Sequence, residues 1–287
     1  MDLLINIIEL ALLLVFGFTV TTFTIALYEW ANSIGRPIRQ ILGIANLWLA
    51  LRLIISEYLA LIITLLLYPF GFLNLPEGQT PEGKKPVILL HGLFLNRACW
   101  FAMKLRFRLH GISDLHTLNL SPLKDVESVT EIVARKVDSL RHERGIEKVN
   151  IIGHSMGAIV ARNYTQIRGG ARKVEKCILI GAPNQGSKLA PFALTTLGET
   201  LLPASDFLSN LNKQGFPQTV DYLNIYSRHD NMVIPATSSS LTDIRNIELT
   251  GLGHNSLLYN GKTFREVIIF LNSADHENAQ DQQPQEG

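Results

Sequence analysis

KVNIIGHSMGA, Lys148 to Ala158, carries a short β-branched run into a Gly-x-Ser-x-Gly pentapeptide, and an amphipathic segment from Met156 to about Arg168 follows at once. Strand, sharp turn and helix in that order form a nucleophile elbow, the context that separates a meaningful pentapeptide from a chance one. Gly153 and Gly157 suit a turn so tight that side chains beside the serine would meet neighbouring backbone. Ser155 then stands at the tip, its hydroxyl at the start of a helix where partial positive charge gathers.

Outward from the elbow, strand-like and helix-like segments alternate. Pro86–Leu90, Asp114–Leu120, the β-branched run that leads into the elbow, Val174–Ile180, Tyr222–Tyr226 and Asn246–Leu249 read as strands. Arg97–Leu109 and Thr263–Asn272 read as helices, and Val126, Val129, Ile132, Val133, Val137 and Leu140 mark one face of another. This alternation predicts an α/β fold, a mostly parallel sheet covered by helices on both faces. Between Lys188 and Phe216, leucines and phenylalanines recur at helical spacing: an ordinary layer helix, or an apolar cap over Ser155 that shapes an acyl-chain pocket.

The N-terminal quarter differs. Leu3–Leu27 is an apolar run without basic residues, and Ile41–Leu73 is a second one with Arg52 and Glu57 inside it. Runs of this length suit a bilayer. Leu53–Leu73 is the better spanning core, with Ile41–Arg52 lying in the interface. The alternative is a helical hairpin packed on a soluble body. A cleaved signal peptide fits worse, for want of a basic start and a small-x-small site. The domain plan is therefore a membrane-anchoring helical pair over 1–73, a Pro-, Gly- and charge-rich linker over 74–85, a catalytic domain over 86–272 with a possible cap at 188–216, and a polar, disordered tail over 273–287.

The 287 residues carry a net charge of +1, and no basic stripe points to nucleic acid. The two cysteines, Cys99 and Cys177, read as free core residues. His91, His154, His229 and His254 lack the close spacing of metal ligands, so no metal and no cofactor is expected.

A serine nucleophile needs a base, and the base an orienting group. Of the eight histidines, His229, His254 and His276 follow Ser155, and His254 sits in the glycine loop Gly251-Leu252-Gly253-His254-Asn255 before the last helix. Asp230 directly follows a strand and would leave it on the serine's edge; Asp206, Asp221 and Asp243 are worse placed. Oxyanion donors are expected in the backbone N–H groups of Met156 and of Leu93, the latter in His91-Gly92-Leu93-Phe94, where Gly92 lets the loop bend back and His91 braces it.

The segments HGLF, GHSMG, GAPNQGS at Gly181–Ser187, and IYS-x-x-D followed by GLGHNSLLY resemble the bacterial lipase/esterase family of the α/β-hydrolase superfamily, closest to its small, minimal-core triacylglycerol lipases, over roughly Pro86 to Asn272. The resemblance implies Ser155, Asp230 and His254 as triad, Leu93 and Met156 as oxyanion donors, and lipid or other acyl esters as substrates. Ala158 and Asn184 depart from the family pattern, and the acidic cluster near the histidine that holds calcium in larger members is absent, so calcium is not expected. The same machinery would serve an acyltransferase, and a catalytically silent partner protein is the alternative outside enzymes. Arg36, Arg39 and Arg52 between the apolar runs place that connection in the cytoplasm, and hence the catalytic domain on the outer side of a bacterial inner membrane. The sequence does not state an oligomeric state.

Overall fold

The computed structural model describes residues 2–35, 43–73 and 85–273. The expected linker, apart from Lys85, and the expected tail, apart from Ser273, lie outside the described residues. Six strands form one sheet in the order β2-β1-β3-β4-β5-β6: β1 Val87–Leu90, β2 Leu115–Leu118, β3 Val149–His154, β4 Val174–Ile180, β5 Asp221–Ser227 and β6 Arg245–Leu249. Every pairing is parallel. Each strand predicted from sequence is present, with ends moved by a few residues where a strand pattern runs on into turn.

The strands that carry the core read as near-continuous apolar runs because helices cover both faces. Along β1, Ile88 and Leu90 enter one core cluster and Val87 and Leu89 the other; along β3, Ile151 and Ile152 divide the same way. One face is covered by α4 (Val126–Arg144) and α5 (Met156–Gln166), the other by α3 (Phe101–Leu109) and α8 (Gly261–Asn272). Asp125 caps α4 by accepting the N–H of Ser128 at 2.8 Å, and Gly145 ends it at φ 63°. The chain winds outward from β1 to β2, then crosses β1 to continue through β3. The boundary between β1 and β3 is therefore the switch point of the sheet, and ligands bind there, outside the carboxyl ends of the strands.

The stretch between β4 and β5 holds two short helices, α6 (Thr196–Thr200) and α7 (Asp206–Lys213). Leu197, Leu201, Leu208 and Leu211 are buried in the cluster that contains Ile159 and Val160 of the elbow helix. This stretch thus does much of the work of a layer helix, with Leu202, Phe207 and Phe216 packed partly buried against the same cluster, while Phe192 is 76% and Leu194 91% exposed.

The N-terminal pair consists of α1 (Asp2–Ser33) and α2 (Ile44–Leu67), the latter running into a 3₁₀ turn over Tyr68–Phe72. Helix α2 runs unbroken through Arg52, because Ile44–Leu67 contains no Pro or Gly to interrupt it. Phe16 and Tyr58 meet edge to face at 5.7 Å. Leu53, Glu57, Ala60 and Thr64 form the buried stripe of α2, while Leu51, Ile55, Leu59, Ile63 and Leu66 face outward. The pair docks on loops that follow strands, and in a parallel sheet all such loops lie at one edge. Asn231 Nδ2 donates to Thr22 Oγ1 at 2.8 Å. Lys188 pairs with Glu29. Thr64 and Tyr259 share a hydroxyl–hydroxyl bond of 2.7 Å. Asn96, Arg97 and Asn119 all donate to carbonyls of the 3₁₀ turn and its end.

Candidate active site

Strand β3 delivers Ser155 into the elbow. Its backbone, at φ 55° and ψ −125°, is unusual for a residue with a side chain, a strain held by its surroundings. A Cβ on Gly153 would fall 2.5 Å from the backbone N of Ala158, and one on Gly157 would collide with the carbonyls of Leu90 and His91. The Ser155 N–H donates to Ile180 O at 2.8 Å, fastening the elbow to the end of β4. The neighbours His154 and Met156 are buried, whereas Ser155 is partly exposed. Its Oγ has no hydrogen-bond partner among the described residues; in sites without substrate, nucleophile–base bonds are commonly long and tighten on binding.

Asp230 and His254 meet at this edge from the ends of β5 and β6. Asp230 Oδ2 bonds His254 Nδ1 at 2.8 Å, and Asp230 Oδ1 accepts the N–H groups of Met232 and Val233, each at 2.8 Å. The carboxylate is thereby fixed on both sides. Burial by itself lowers the basicity of His254, but the charge and hydrogen bond of Asp230, with a further contribution from Glu57, raise it above the ordinary histidine value. An imidazole with Nδ1 committed to a carboxylate presents Nε2 as the free base. A Cβ on Gly181 would meet His254 Cε1 at 3.3 Å, and one on Gly92 would meet Ser155 Oγ at 3.4 Å, so these glycines lie against the His254 and Ser155 side chains.

The loop after β1 carries Leu93, whose N–H, like that of Met156, has no acceptor among the described residues. Those are the two donors expected to face an oxyanion. His91 braces the loop: its Nε2 accepts the N–H of Leu120 at 2.9 Å and its Nδ1 meets Gly92 O at 2.8 Å. Burial lowers its pKa to about 4, so the ring is neutral. His154 is likewise held neutral by burial and then by His254, whose ring centre lies 4.8 Å away.

The other candidates are elsewhere. Asp206 begins α7, Asp221 begins β5, Asp243 is exposed in a loop, and His229 accepts the N–H of Gly251 at 2.9 Å. His276 lies outside the described residues. Among the described residues no group of three or more His, Cys, Asp or Glu side chains is placed to hold a metal ion. Cys99 and Cys177 are buried and unlinked.

Sequence reasoning missed three features. Glu57, fully buried, accepts N–H groups of Asn255 and Ser256 beside His254; an isolated acid in an apolar run is a signal that a partner exists. Asn231 anchors the His254 N–H at 3.0 Å through Oδ1, with no sequence signal. Asn184, noted only as a departure, receives Nη1 of the fully buried Arg162 at 2.9 Å and donates to Ser239 O at 2.7 Å.

Comparison with known proteins agrees with the fold. A family model described as the alpha/beta hydrolase family matches residues 87–259. A triacylglycerol lipase of Pseudomonas fragi is 31% identical over 147 residues, 44% of this chain and 47% of the relative. One of Pseudarthrobacter phenanthrenivorans is 30% identical over 121 residues, 39% of this chain and 37% of the relative. The chain thus spans less than half the length of these curated relatives. Among solved structures, the mature Bacillus licheniformis lipase BlEst2 superposes with a TM-score of 0.61 at 19% identity, over 68% of this chain and 95% of that one. Aspergillus fumigatus lipase B gives 0.58 at 19% identity, over 70% and 55%.

Proposed function

Because this chain belongs to the alpha/beta hydrolase family, we propose that it is a membrane-anchored serine ester hydrolase that cleaves lipid or other acyl esters. The observation that carries the reading is the 2.8 Å bond between Asp230 and His254 at the sheet edge where the strained Ser155 turns outward. Ser155 Oγ attacks the ester carbonyl carbon as His254 Nε2 takes its proton, and Asp230 holds the imidazolium. Oxygen charge in the tetrahedral intermediate falls to the N–H groups of Leu93 and Met156. Collapse expels the alcohol with the proton from His254. Water, activated by the same imidazole, then attacks the acyl-enzyme and releases the acid.

The names of the Pseudomonas and Pseudarthrobacter relatives support lipid esters as the substrate class. The membrane part of the reading rests on two helices long and apolar enough to cross a bilayer, Asp2–Ser33 and Asn46–Phe72, with the outward face of α2 offered to lipid. Arg36 and Arg39 between them favour a cytoplasmic connection, and so a catalytic domain outside the inner membrane of a bacterium. Arg52 drops out of that count, since its guanidinium lies against Gly251 of the catalytic domain.

Two experiments test the reading. A fluorophosphonate probe should label the full chain and not Ser155→Ala, whose ester turnover should fall by several orders of magnitude with folding intact. Near wild-type turnover in Ser155→Ala would end the proposal. Reporters fused after Leu271 address the side: active alkaline phosphatase with dark fluorescent protein fits the outward orientation, and the reverse pattern places the domain in the cytoplasm.

A further inference from the structure

The backbone flanking His254 is held from the N-terminal helices. Glu57, on the buried stripe of α2, takes the N–H of Asn255 at 2.7 Å and the Asn255 side-chain amide at 2.9 Å on Oε1, and the N–H of Ser256 at 2.9 Å on Oε2. Those backbone donors open the 3₁₀ turn Asn255–Leu258, which begins directly after His254 and leaves its first N–H groups without internal partners. On the other side, Gly253 permits the approach: a Cβ there would sit 2.5 Å from Glu57 Oε2. Asn231, which fixes the His254 N–H, is itself held by Thr22 of α1. Contacts from Arg52 to Thr64 extend over about 18 Å of helix. That is far more contact than a tether needs.

We propose that Glu57 is a positioning residue for His254, and that the docked helix pair completes the active site as well as anchoring it. A loop of glycines gives His254 little rigidity of its own, and a carboxylate with three N–H donors supplies it from outside the loop. A displacement of about 1 Å in a reacting group can reduce turnover on the order of a hundredfold. The inference rests on the serine-hydrolase reading, and the test keeps the two apart.

The groups facing the His254 imidazole are Asp230 from the β5 loop, His154 from β3 and Glu57 from α2, with His229 and Arg52 beyond them. Asp230 and Glu57 both favour the protonated ring. Removing the charge of Glu57 therefore makes His254 less basic, so the neutral form persists to lower pH.

The experiment uses the full chain in detergent micelles, with active sites titrated by the fluorophosphonate so that kcat is expressed per competent serine. Glu57→Gln keeps shape but sets an NH₂ against a backbone N–H. The expected result is kcat about 10–100-fold lower with KM within about twofold, and an acidic limb of kcat/KM moved to lower pH. Unchanged kcat per titrated site with a superimposable pH profile overturns the proposal, even where thermal stability falls. Should Glu57→Gln not accumulate, Glu57→Asp keeps the charge but shortens the reach: a lower kcat with the limb unmoved supports positioning, and wild-type kcat refutes it. Failure of the wild-type chain to react with the probe would instead refute the hydrolase reading.

Discussion

Asp230→Asn isolates the orienting role of the acid, because the two side chains share a shape. An asparagine has one acceptor oxygen where Asp230 uses two, so the structure decides which way the amide turns. With the oxygen toward Met232 and Val233, both backbone bonds of 2.8 Å survive and the NH₂ points at His254 Nδ1. Reversed, two backbone donors face another donor, at about 1–3 kcal/mol each. The first orientation is thus favoured by about 2–6 kcal/mol, roughly thirtyfold at the low end. It obliges Nδ1 to accept and puts the ring proton on Nε2, the atom that should remove the serine proton. Turnover of a p-nitrophenyl ester should fall on the order of 10⁴-fold, while the circular dichroism spectrum and melting temperature stay near wild type. A loss below tenfold, with a large loss in Asp206→Asn or Asp243→Asn instead, would refute the argument.

Two further outcomes concern stability. Asn184→Ala strips the buried Arg162 of one acceptor and Ser239 O of one donor; a bond to a charged group contributes about 1.5–3 kcal/mol and a neutral one about 0.5–1.5, so urea unfolding should show a loss of about 2–4 kcal/mol. A loss under about 1 kcal/mol would mean that Asn212 and Gln166 carry Arg162 unaided. His91 has a pKa of about 4 when folded and about 6.5 when unfolded, so unfolding takes up a proton in that window. Its contribution is fully present above pH ~6.5 and is lost as pH falls toward 4, up to about 3 kcal/mol, and His91→Gln should flatten that slope; an unchanged slope would show the ring to be protonated already.

The strands and the principal helices of the catalytic domain were legible because their signals are local. Val174–Ile180 matches to the residue, since a buried run of β-branched and apolar side chains has clear ends. The gathering of Ser155, Asp230 and His254 at one sheet edge was legible through chain order, each following a strand of the same sheet. The order of the strands was not legible, nor was the 3₁₀ turn that follows His254, which leaves no periodic trace. The docking of α2 was hidden for a different reason. Glu57 and Asn255 lie 198 residues apart, and hydropathy shows only that such a helix avoids water, not what its one carboxylate meets.

That separation has a meaning for biosynthesis. A ribosome adding about 5–20 residues per second needs about 10–40 s to travel from Glu57 to the donors that receive it. Throughout that interval the apolar pair is complete while its carboxylate is unmatched, and Thr22 waits still longer for Asn231, 209 residues on. Both helices therefore spend their early life as a segment destined for partners that do not yet exist. Their apolar stretches are complete early, but their polar stripe stays open until the last strand of the sheet and the turn after it have been made.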